Sequence, residues 1–162
     1  MGGGVGSEGV TADAERLGEL IASRGWVVLT GGRDAGVMAA ASRGAKRAGG
    51  LVVGVLPGVD LAGTARDIDV PILTGMGDAR NVVNVLSSRV VVVLPGEAGT
   101  LSEAALALKA DRPVVTLGFD LGAAFDPYRR SRRLVETGSP SEALAAVERF
   151  LDEDAARWEA RR

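Results

Sequence analysis

Short β-branched runs alternate with longer amphipathic stretches along this chain of 162 residues. The short runs are apolar throughout, as is typical of strands that are buried on both faces of a parallel sheet. The longer stretches carry apolar residues three and four positions apart, which is the spacing of a helix with one buried face. This alternation predicts the α/β class, in which helices cover both faces of a parallel sheet.

The predicted elements fill one domain, residues 1–162, long enough to bury a core of its own. The five predicted strands span residues 26–30, 51–56, 70–73, 90–94 and 113–117. The five predicted helices span residues 12–24, 37–48, 77–88, 101–110 and 140–160. Thr11 is the expected N-cap of the first helix, Ser139 and Glu142 form a capping box at the last, and residues 118–138 are mostly loop. Strands separated by crossover helices favour a single Rossmann-like, doubly wound sheet.

The start of the chain is unusual for such a fold. A doubly wound sheet normally opens with a central strand that leads into a glycine-rich turn, but residues 1–6 begin with the turn itself. We expect either that this strand is absent or that the reading frame begins upstream. Without the strand, its neighbours would expose their edges, so a partner chain or a rearranged sheet would have to cover them.

The chain contains no cysteine and no histidine. The first absence excludes disulfides, zinc–thiolate sites and thiol nucleophiles, and the second removes the most common metal ligand and general base. We therefore expect no metal site, and any catalysis has to use carboxylates, arginine, lysine, hydroxyls or water. The only lysines, Lys46 and Lys109, fall within predicted helices, which argues against a Schiff-base lysine for pyridoxal phosphate.

The formal net charge is −2, and the one basic cluster consists of Arg129, Arg130, Arg132 and Arg133. Because a solvated surface explains four loop arginines more simply than a nucleic-acid patch, we expect no nucleic-acid partner. No apolar stretch reaches the roughly 18 residues that cross a membrane, so we expect no membrane partner. The start of the chain also lacks a secretory signal, which favours a cytoplasmic protein.

Two glycine-rich turns follow predicted strands, and residues 2–6 would form a third. Parallel strands place such turns together at the carboxyl edge of the sheet. The turn residues expected to bind a ligand are Gly31, Gly32, Gly36, Pro95, Gly96, Gly99 and Thr100. Glycines let a phosphate approach the backbone, and a helix start offers unpaired N–H groups with partial positive charge. The pattern predicts a small phosphorylated ligand, while close helix–strand packing alone would also explain the glycines.

Arg80 and Glu103 are the candidate catalytic residues near these turns. Arg80 falls near a helix start, where the helix dipole disfavours a cation, so it serves either a ligand or an ion pair with Asp78 or Asp111. Glu103 follows Thr100 by three residues, which predicts a capping box. The alternative places the carboxylate beside a bound phosphosugar, where it would stabilise positive charge on a ribosyl carbon or activate water.

These motifs, in this order, resemble those of the "lonely guy" family of Rossmann-like proteins. The family hallmark P-G-G-x-G-T-x-x-E reads P-G-E-A-G-T-L-S-E at residues 95–103, and the upstream Met and Arg-Lys pair correspond to Met76 and to Arg80 with Asn81. The resemblance implies a nucleoside 5′-monophosphate phosphoribohydrolase that cleaves with Arg80 and the final glutamate, with Met76 and Asn81 binding the ligand. Two positions depart from the pattern: Glu97 replaces a glycine, and Asn81 replaces a lysine.

Within this superfamily, residues 8–12 and 49–58 resemble a bacterial branch related to the algal molybdenum cofactor carrier. That resemblance implies a bound nucleotide, phosphate or molybdopterin, no required cofactor, and a homodimer or higher homo-oligomer that uses the predicted helix 77–88. Superfamily members have also been labelled lysine decarboxylase-like, but the chain has no lysine placed for that chemistry. Two hypotheses remain: a phosphoribohydrolase, and a non-catalytic binding or carrier protein.

Overall fold

The computed structural model describes residues 1–4 and 6–159, which form six strands and six helices; strands and helices alternate except that β3 follows β2 directly. The strands are β1 (Val28–Thr30), β2 (Val52–Leu56), β3 (Val70–Leu73), β4 (Val91–Val93), β5 (Val114–Leu117) and β6 (Leu134–Thr137). The helices are α1 (Glu8–Ser23), α2 (Gly36–Arg47), α3 (Arg80–Ser87), α4 (Ala98–Lys109), α5 (Asp126–Arg130) and α6 (Pro140–Glu159). Short 3-10 turns precede α3 and α5. None of the helices in these ranges is long and apolar enough to cross a membrane.

All strand pairs are parallel, and they form two three-stranded sheets. In the first sheet, β2 lies between β1 and β3, and Val28 is opposite Val52. In the second sheet, β5 lies between β4 and β6, and Val91 is opposite Val114. The Rossmann-like α/β class is therefore confirmed, but the expected single sheet is interrupted between β1 and β4.

Helices cover both faces of the second sheet, as the doubly wound class requires. Val115 of β5 belongs to a buried cluster with α1, α2 and α6, whereas its neighbour Val114 belongs to a cluster with α3 and α4. Successive strand residues point to opposite faces, so these two clusters lie on opposite sides of the sheet. A smaller cluster of Ala22, Val28 and Ala45 packs α1 and α2 against the first sheet.

Residues 1–3 lie along part of the interruption. The Met1 amino group donates to the Val92 carbonyl, and the Met1 carbonyl accepts from the Leu94 amide at 2.8 Å. In a parallel pair of strands, one residue bonds to the two residues that lie on either side of the residue opposite to it. Met1 bonds in this way to Val92 and Leu94. In the described residues, β1 and β4 do not pair with each other to close the gap.

The segment predicted as mostly loop, residues 118–138, contains α5 and β6, which corrects that prediction. In β6, Leu134 packs in the cluster of α3 and α4, and the next residue, Val135, packs against the cluster on the opposite face of the sheet. Four residues are too few for the pattern to stand out next to the charged run before them. Arg129 of that run pairs with Asp120, Asp126 and Glu136, and these ion pairs hold it against the loop.

The two predicted helix caps have different outcomes. α1 begins at Glu8, and the Ser7 hydroxyl oxygen caps it by accepting from the Val10 amide at 3.4 Å, so Thr11 is not the cap. The capping residue of α6 is confirmed, because the Ser139 hydroxyl oxygen accepts from the Glu142 amide at 3.3 Å. The Glu142 carboxylate accepts from the Gly138 amide at 2.8 Å, whereas in a capping box it would accept from the Ser139 amide.

Candidate functional site

Three glycine-rich segments meet where β1 and β4 end. The Gly3 amide donates to the Pro95 carbonyl at 3.2 Å, and the Gly3 carbonyl accepts from the Val37 amide at 3.2 Å. The N-terminal segment is therefore hydrogen-bonded to the turn after β4 and to the start of α2, which follows the turn after β1. One crevice results at the carboxyl edge of the strands, the usual ligand position in such folds.

Several glycines of the crevice are required by backbone packing. A Cβ added to Gly32 would lie 2.9 Å from the Leu56 side chain, and Gly32 has a φ of +72°. A Cβ on Gly36 or on Gly96 would meet the backbone of residues 3–4 at 2.7 Å. For these three positions, close packing explains the glycine, which is the alternative that the sequence left open.

Gly31 differs, because its missing side chain makes room for Arg80. A Cβ at Gly31 would lie 2.8 Å from Arg80 Nη2. Arg80 is the first residue of α3 and is buried, and its Nε has no hydrogen-bond partner among the described residues. The ion pair with Asp78 or Asp111, one of the two alternatives for Arg80, is not found in the described part of the chain, where Asp111 pairs with Arg133.

The environment of Arg80 is unfavourable for its charge. Burial lowers the pKa of the guanidinium below its usual value, and the nearby Glu103 carboxylate acts in the opposite direction. A buried cation with an unpaired N–H group costs free energy unless it gains a partner. The described residues give the Arg80 Nε no such partner.

Glu103 and Thr100 lie on the buried side of α4, one turn apart. α4 begins at Ala98, earlier than predicted, and the Thr100 amide donates to the Glu97 carbonyl at 2.9 Å, so the predicted capping box is wrong. Glu103 is 7% exposed, and its Oε1 accepts from Asn84 Nδ2 at 3.5 Å. Glu103 therefore does not cap α4, and its carboxylate is buried beside Asn84.

Asn84 is the polar residue of this site that the sequence analysis did not identify. It lies one turn after Arg80 on α3 and is fully buried, and its Oδ1 has no partner among the described residues. The available signal was a lone amide within the apolar run of residues 82–86. Its amide nitrogen orients the Glu103 carboxylate.

A cavity of about 830 Å³ opens at these side chains and is large enough for a nucleotide or a pterin. Six predicted site residues line it: Gly31, Arg80, Asn81, Gly99, Thr100 and Glu103. The other five predicted ligand residues, Gly32, Gly36, Met76, Pro95 and Gly96, lie outside this lining. Met76 is 48% exposed and precedes the 3-10 turn before α3.

Glu97 stands at the rim of the cavity with its side chain exposed. It occupies the N-cap position of α4, but its carboxylate makes no capping hydrogen bond. The cavity is therefore lined by a buried cation, Arg80, and by an exposed anion, Glu97, at its rim. No group of three or more side chains that could hold a metal ion lies within residues 1–4 and 6–159.

Comparisons with known proteins agree with this architecture. The sequence model that defines the SLOG cluster4 family matches residues 1–144 of this chain. The molybdenum cofactor binding protein from Rippkaea orientalis is 41% identical, with a TM-score of 0.84 over 90% of both chains. The molybdenum cofactor carrier protein from Chlamydomonas reinhardtii is 42% identical, with a TM-score of 0.85 over 94% of both chains.

A more distant relative carries an enzyme name. The cytokinin riboside 5′-monophosphate phosphoribohydrolase of Mycobacterium tuberculosis is 36% identical over 94 residues, which are 56% of this chain and 49% of that protein. The chain thus spans about half the length of this relative. Together, the comparisons confirm the resemblance to the lonely guy group and to the molybdenum cofactor carrier branch.

Proposed function

This chain belongs to the SLOG cluster4 family, and we propose that its crevice binds a phosphorylated pterin or nucleotide without cleaving it. The observation that carries this proposal is Arg80, a buried cation whose Nε has no partner among the described residues. The solved structures that share 41–42% identity over 90–94% of the chain are named for binding or carrying the molybdenum cofactor. That similarity favours a binding or carrier role over catalysis.

The phosphate group would bind between α3 and α4. Arg80 would supply a charge-assisted hydrogen bond from α3, and the first turn of α4 would supply the backbone N–H group of Gly99 and the Thr100 hydroxyl. A helix start carries partial positive charge, which adds to the attraction. The bound phosphate would thereby give Arg80 the partner that the folded chain does not provide.

The molybdenum cofactor fits this donor set as a cargo. Its pterin carries a phosphate, which matches Arg80 and the α4 start, and the half-buried Asn81 amide lines the same cavity for a polar ring edge. The cofactor would supply its own redox chemistry to an acceptor enzyme, whereas this chain would hold the phosphate and shield the ring from water. No cofactor of the protein's own is needed for that task.

A second candidate function is hydrolysis of a nucleoside 5′-monophosphate, which the shared position of Arg80 and Glu103 in one cavity favours. The bond between ribose C1′ and the base nitrogen breaks, a water oxygen bonds to C1′, and one water proton passes to the base. Glu103 would stabilise the oxocarbenium-like transition state or accept the proton from water. Arg80 would orient the substrate.

A product assay separates the two functions. The protein is incubated with a panel of nucleoside 5′-monophosphates, and free base and ribose 5-phosphate are quantified for the native protein and for Glu103→Gln. Release that disappears in Glu103→Gln would support the hydrolase and overturn the non-catalytic role. Absence of release, together with measured binding, supports the carrier role.

The binding test compares isolated molybdenum cofactor, AMP, GMP and a pterin without phosphate, by calorimetric titration. We expect the phosphorylated ligands to bind and Arg80→Met to weaken them at least tenfold. Because Arg80→Met also removes a buried charge, its thermal unfolding temperature should not fall, which shows that the lost binding is not lost folding. Equal affinity of Arg80→Met and the native protein would contradict the proposal.

We also propose that the chain forms a homodimer through α3. Val82 and Leu86 lie one turn apart on this helix and are 41% and 52% exposed. Apolar side chains that share an exposed helix face are typical of subunit contacts. The same helix carries Arg80, so a dimer contact there would also fix one wall of the site.

A further inference from the structure

A second cavity, of about 560 Å³, lies at the amino edge of the sheet of β4, β5 and β6. Residues that immediately precede these strands line it, because parallel strands begin at the same edge of a sheet. The crevice lies at the opposite edge, and none of its predicted catalytic or ligand residues lines the second cavity. Six arginines do line it: Arg89, Arg112, Arg129, Arg132, Arg133 and Arg149. A volume of this size is typical of small-molecule sites.

Positive charge exceeds negative charge in the lining of this second cavity. Three acids line it as well: Asp111, Glu153 and Asp154. Two of them are already paired, because Asp111 Oδ1 lies 2.7 Å from Arg133 Nη2 and Asp154 Oδ2 lies 2.8 Å from Arg89 Nη2. Among the described residues, Glu153 is thus the one acid of the lining that makes no ion pair, and it cannot neutralise the remaining arginines.

Several of these arginines have a structural role. Arg112 Nη2 donates to the Leu86 carbonyl at the end of α3 at 3.0 Å, and Arg133 Nη2 donates to the Asp111 carbonyl beyond the end of α4. Cations are favourable at helix ends of this kind. Arg129 is held by acids that lie outside the lining. Arg112 keeps unused capacity, since its Nε has no hydrogen-bond partner among the described residues.

Arg132 has no structural role of that kind, and its backbone favours another residue. Its side chain makes no ion pair or hydrogen bond in the described part of the chain, and its φ is +58°. The Arg132 amide donates to the Arg129 carbonyl and the Arg133 amide to the Tyr128 carbonyl, which is how a left-handed residue ends a helix, here α5. Glycine is the usual residue in this conformation, because a Cβ disfavours it. Arginine therefore lines the cavity at a cost to stability.

Arg149 is held at the second cavity by an aromatic ring. Its guanidinium carbon lies 5.3 Å from the centre of the Phe150 ring, a distance at which the ring attracts a cation. Phe150 is buried, and together with Leu134 of β6 it gives the cavity an apolar wall. The contact with the ring uses none of the five N–H donors of Arg149, and no described residue accepts from them.

We propose that this second cavity binds a small diphosphate, the group that pyrophosphate and nucleoside diphosphates share, through Arg132 and Arg149. The planar fork of a guanidinium matches two oxygens of one phosphate group, so two arginines from separate elements suit two linked phosphates. The excess of arginines over acids favours a ligand with several negative charges. Because the arginines surround one cavity rather than follow a stripe across the surface, the site fits a small molecule better than a nucleic-acid strand.

The test is calorimetric titration with pyrophosphate at low ionic strength. We expect Arg132→Gly and Arg149→Gln each to weaken pyrophosphate binding by about fivefold or more. Arg130→Ala is the matched control, because Arg130 is an exposed arginine of the same run that does not line the cavity, so its affinity should stay that of the native protein. The thermal unfolding temperature of Arg132→Gly should equal or exceed the native one, since glycine suits the left-handed backbone, and the lost binding is then not lost folding.

Titrations in an Arg80→Met background repeat the comparison without the arginine of the crevice. The same dependence on Arg132 should appear there, which keeps this test separate from that of the proposed function. Absence of pyrophosphate binding to the native protein would overturn the proposal, as would an equal loss of affinity in Arg130→Ala and Arg132→Gly. Tighter, Arg132-dependent binding of a single-stranded oligonucleotide than of pyrophosphate would also overturn it, because the arginines would then form a nucleic-acid surface.

Discussion

At the residue scale, three buried ionisable groups influence one another in the site: Glu103, Arg80 and the Met1 amino group. The Glu103 carboxylate favours the charged forms of both Arg80 and the Met1 amino group, which burial disfavours. The carboxylate therefore offsets part of the cost of burying Arg80, whose guanidinium remains the cation of the site. This arrangement explains why a buried arginine is tolerated without a direct ion pair, and it links the candidate ligand site to the chain start.

Glu97 is the residue whose replacement should improve binding. Glu97→Gln removes an exposed carboxylate from the cavity rim, so phosphorylated ligands should bind about threefold more tightly at low salt. The gain should shrink as salt screens the rim. Calorimetric titration at two ionic strengths checks both effects, with Glu8→Gln, another exposed acid at a helix start, as the control. Weaker binding of Glu97→Gln would contradict this view.

At the scale of elements, α1 and α2 pack with their backbones in close contact. A Cβ added to Gly44 would lie 2.7 Å from the Glu15 backbone carbon, and one added to Gly18 would lie 3.0 Å from the Ala41 backbone carbon. Glycine on each helix thus allows the two backbones to touch. Neither contact involves a flexible side chain that could move aside.

Gly44→Val should therefore destabilise the protein strongly. Its side chain would force α1 and α2 apart, and we expect the free energy of unfolding to fall by about 3 kcal/mol. Gly9→Ala is the control, because a Cβ on Gly9 of α1 has no neighbour within 4 Å and alanine favours a helix, so stability should rise by up to about 1 kcal/mol. Denaturant unfolding measures both, and equal stability of the two variants would disprove the backbone contact.

Asp69 connects the approach to β3 with α2 and β2. It accepts from Lys46 Nζ at 2.6 Å and from the Val52 amide at 2.8 Å, and these bonds, that of Lys46 first, lower its pKa below 3.8. The pKa of Asp69 is lower in the folded chain than in the unfolded chain. The stabilisation that the ionised carboxylate gives is therefore present above pH 3.8 and disappears as the pH falls through the lowered pKa.

Asp69→Asn should lower the free energy of unfolding by about 1 kcal/mol at pH 7, since an exposed ion pair contributes little more. The difference between Asp69→Asn and the native protein should vanish in acid, below the lowered pKa. Denaturant unfolding from pH 7 down to pH 2.5 follows this convergence. A difference that stays constant over the whole range would show that the carboxylate charge is not the cause.

Elements and site residues were predictable to different degrees. The valine runs at β2 and β4 identify strands because only buried parallel strands stay apolar on both faces. The start of α4 was misplaced because Thr-x-x-Glu has the spacing of a capping box and equally of one helical turn, as Thr100 and Glu103 now show. Arg80 and Glu103 were identified through the family motif. Asn84 was missed because the burial of a lone amide depends on how α3 and α4 pack against each other.

At the scale of the whole molecule, α3 carries two of the large apolar side chains that the described surface exposes. If Val82 and Leu86 form a subunit interface, Val82→Glu combined with Leu86→Glu should convert the assembly to a monomer, because two desolvated carboxylates would face each other across the symmetric contact. Light scattering after size exclusion reports the mass. The control pair Arg66→Glu and Arg130→Glu, two exposed positions away from α3, should leave the mass unchanged, and a native protein that is already monomeric would refute the dimer.

The interrupted sheet gives a bound ligand a mechanical role. Gly31 follows β1 in one sheet and Thr100 follows β4 in the other, and both line the same cavity. A ligand that touches both would therefore link two halves that helix packing and the hydrogen bonds of residues 1–3 also hold together. Calorimetry of the free protein should show a transition broader than two-state melting, and saturation with ligand should sharpen it into a single cooperative event.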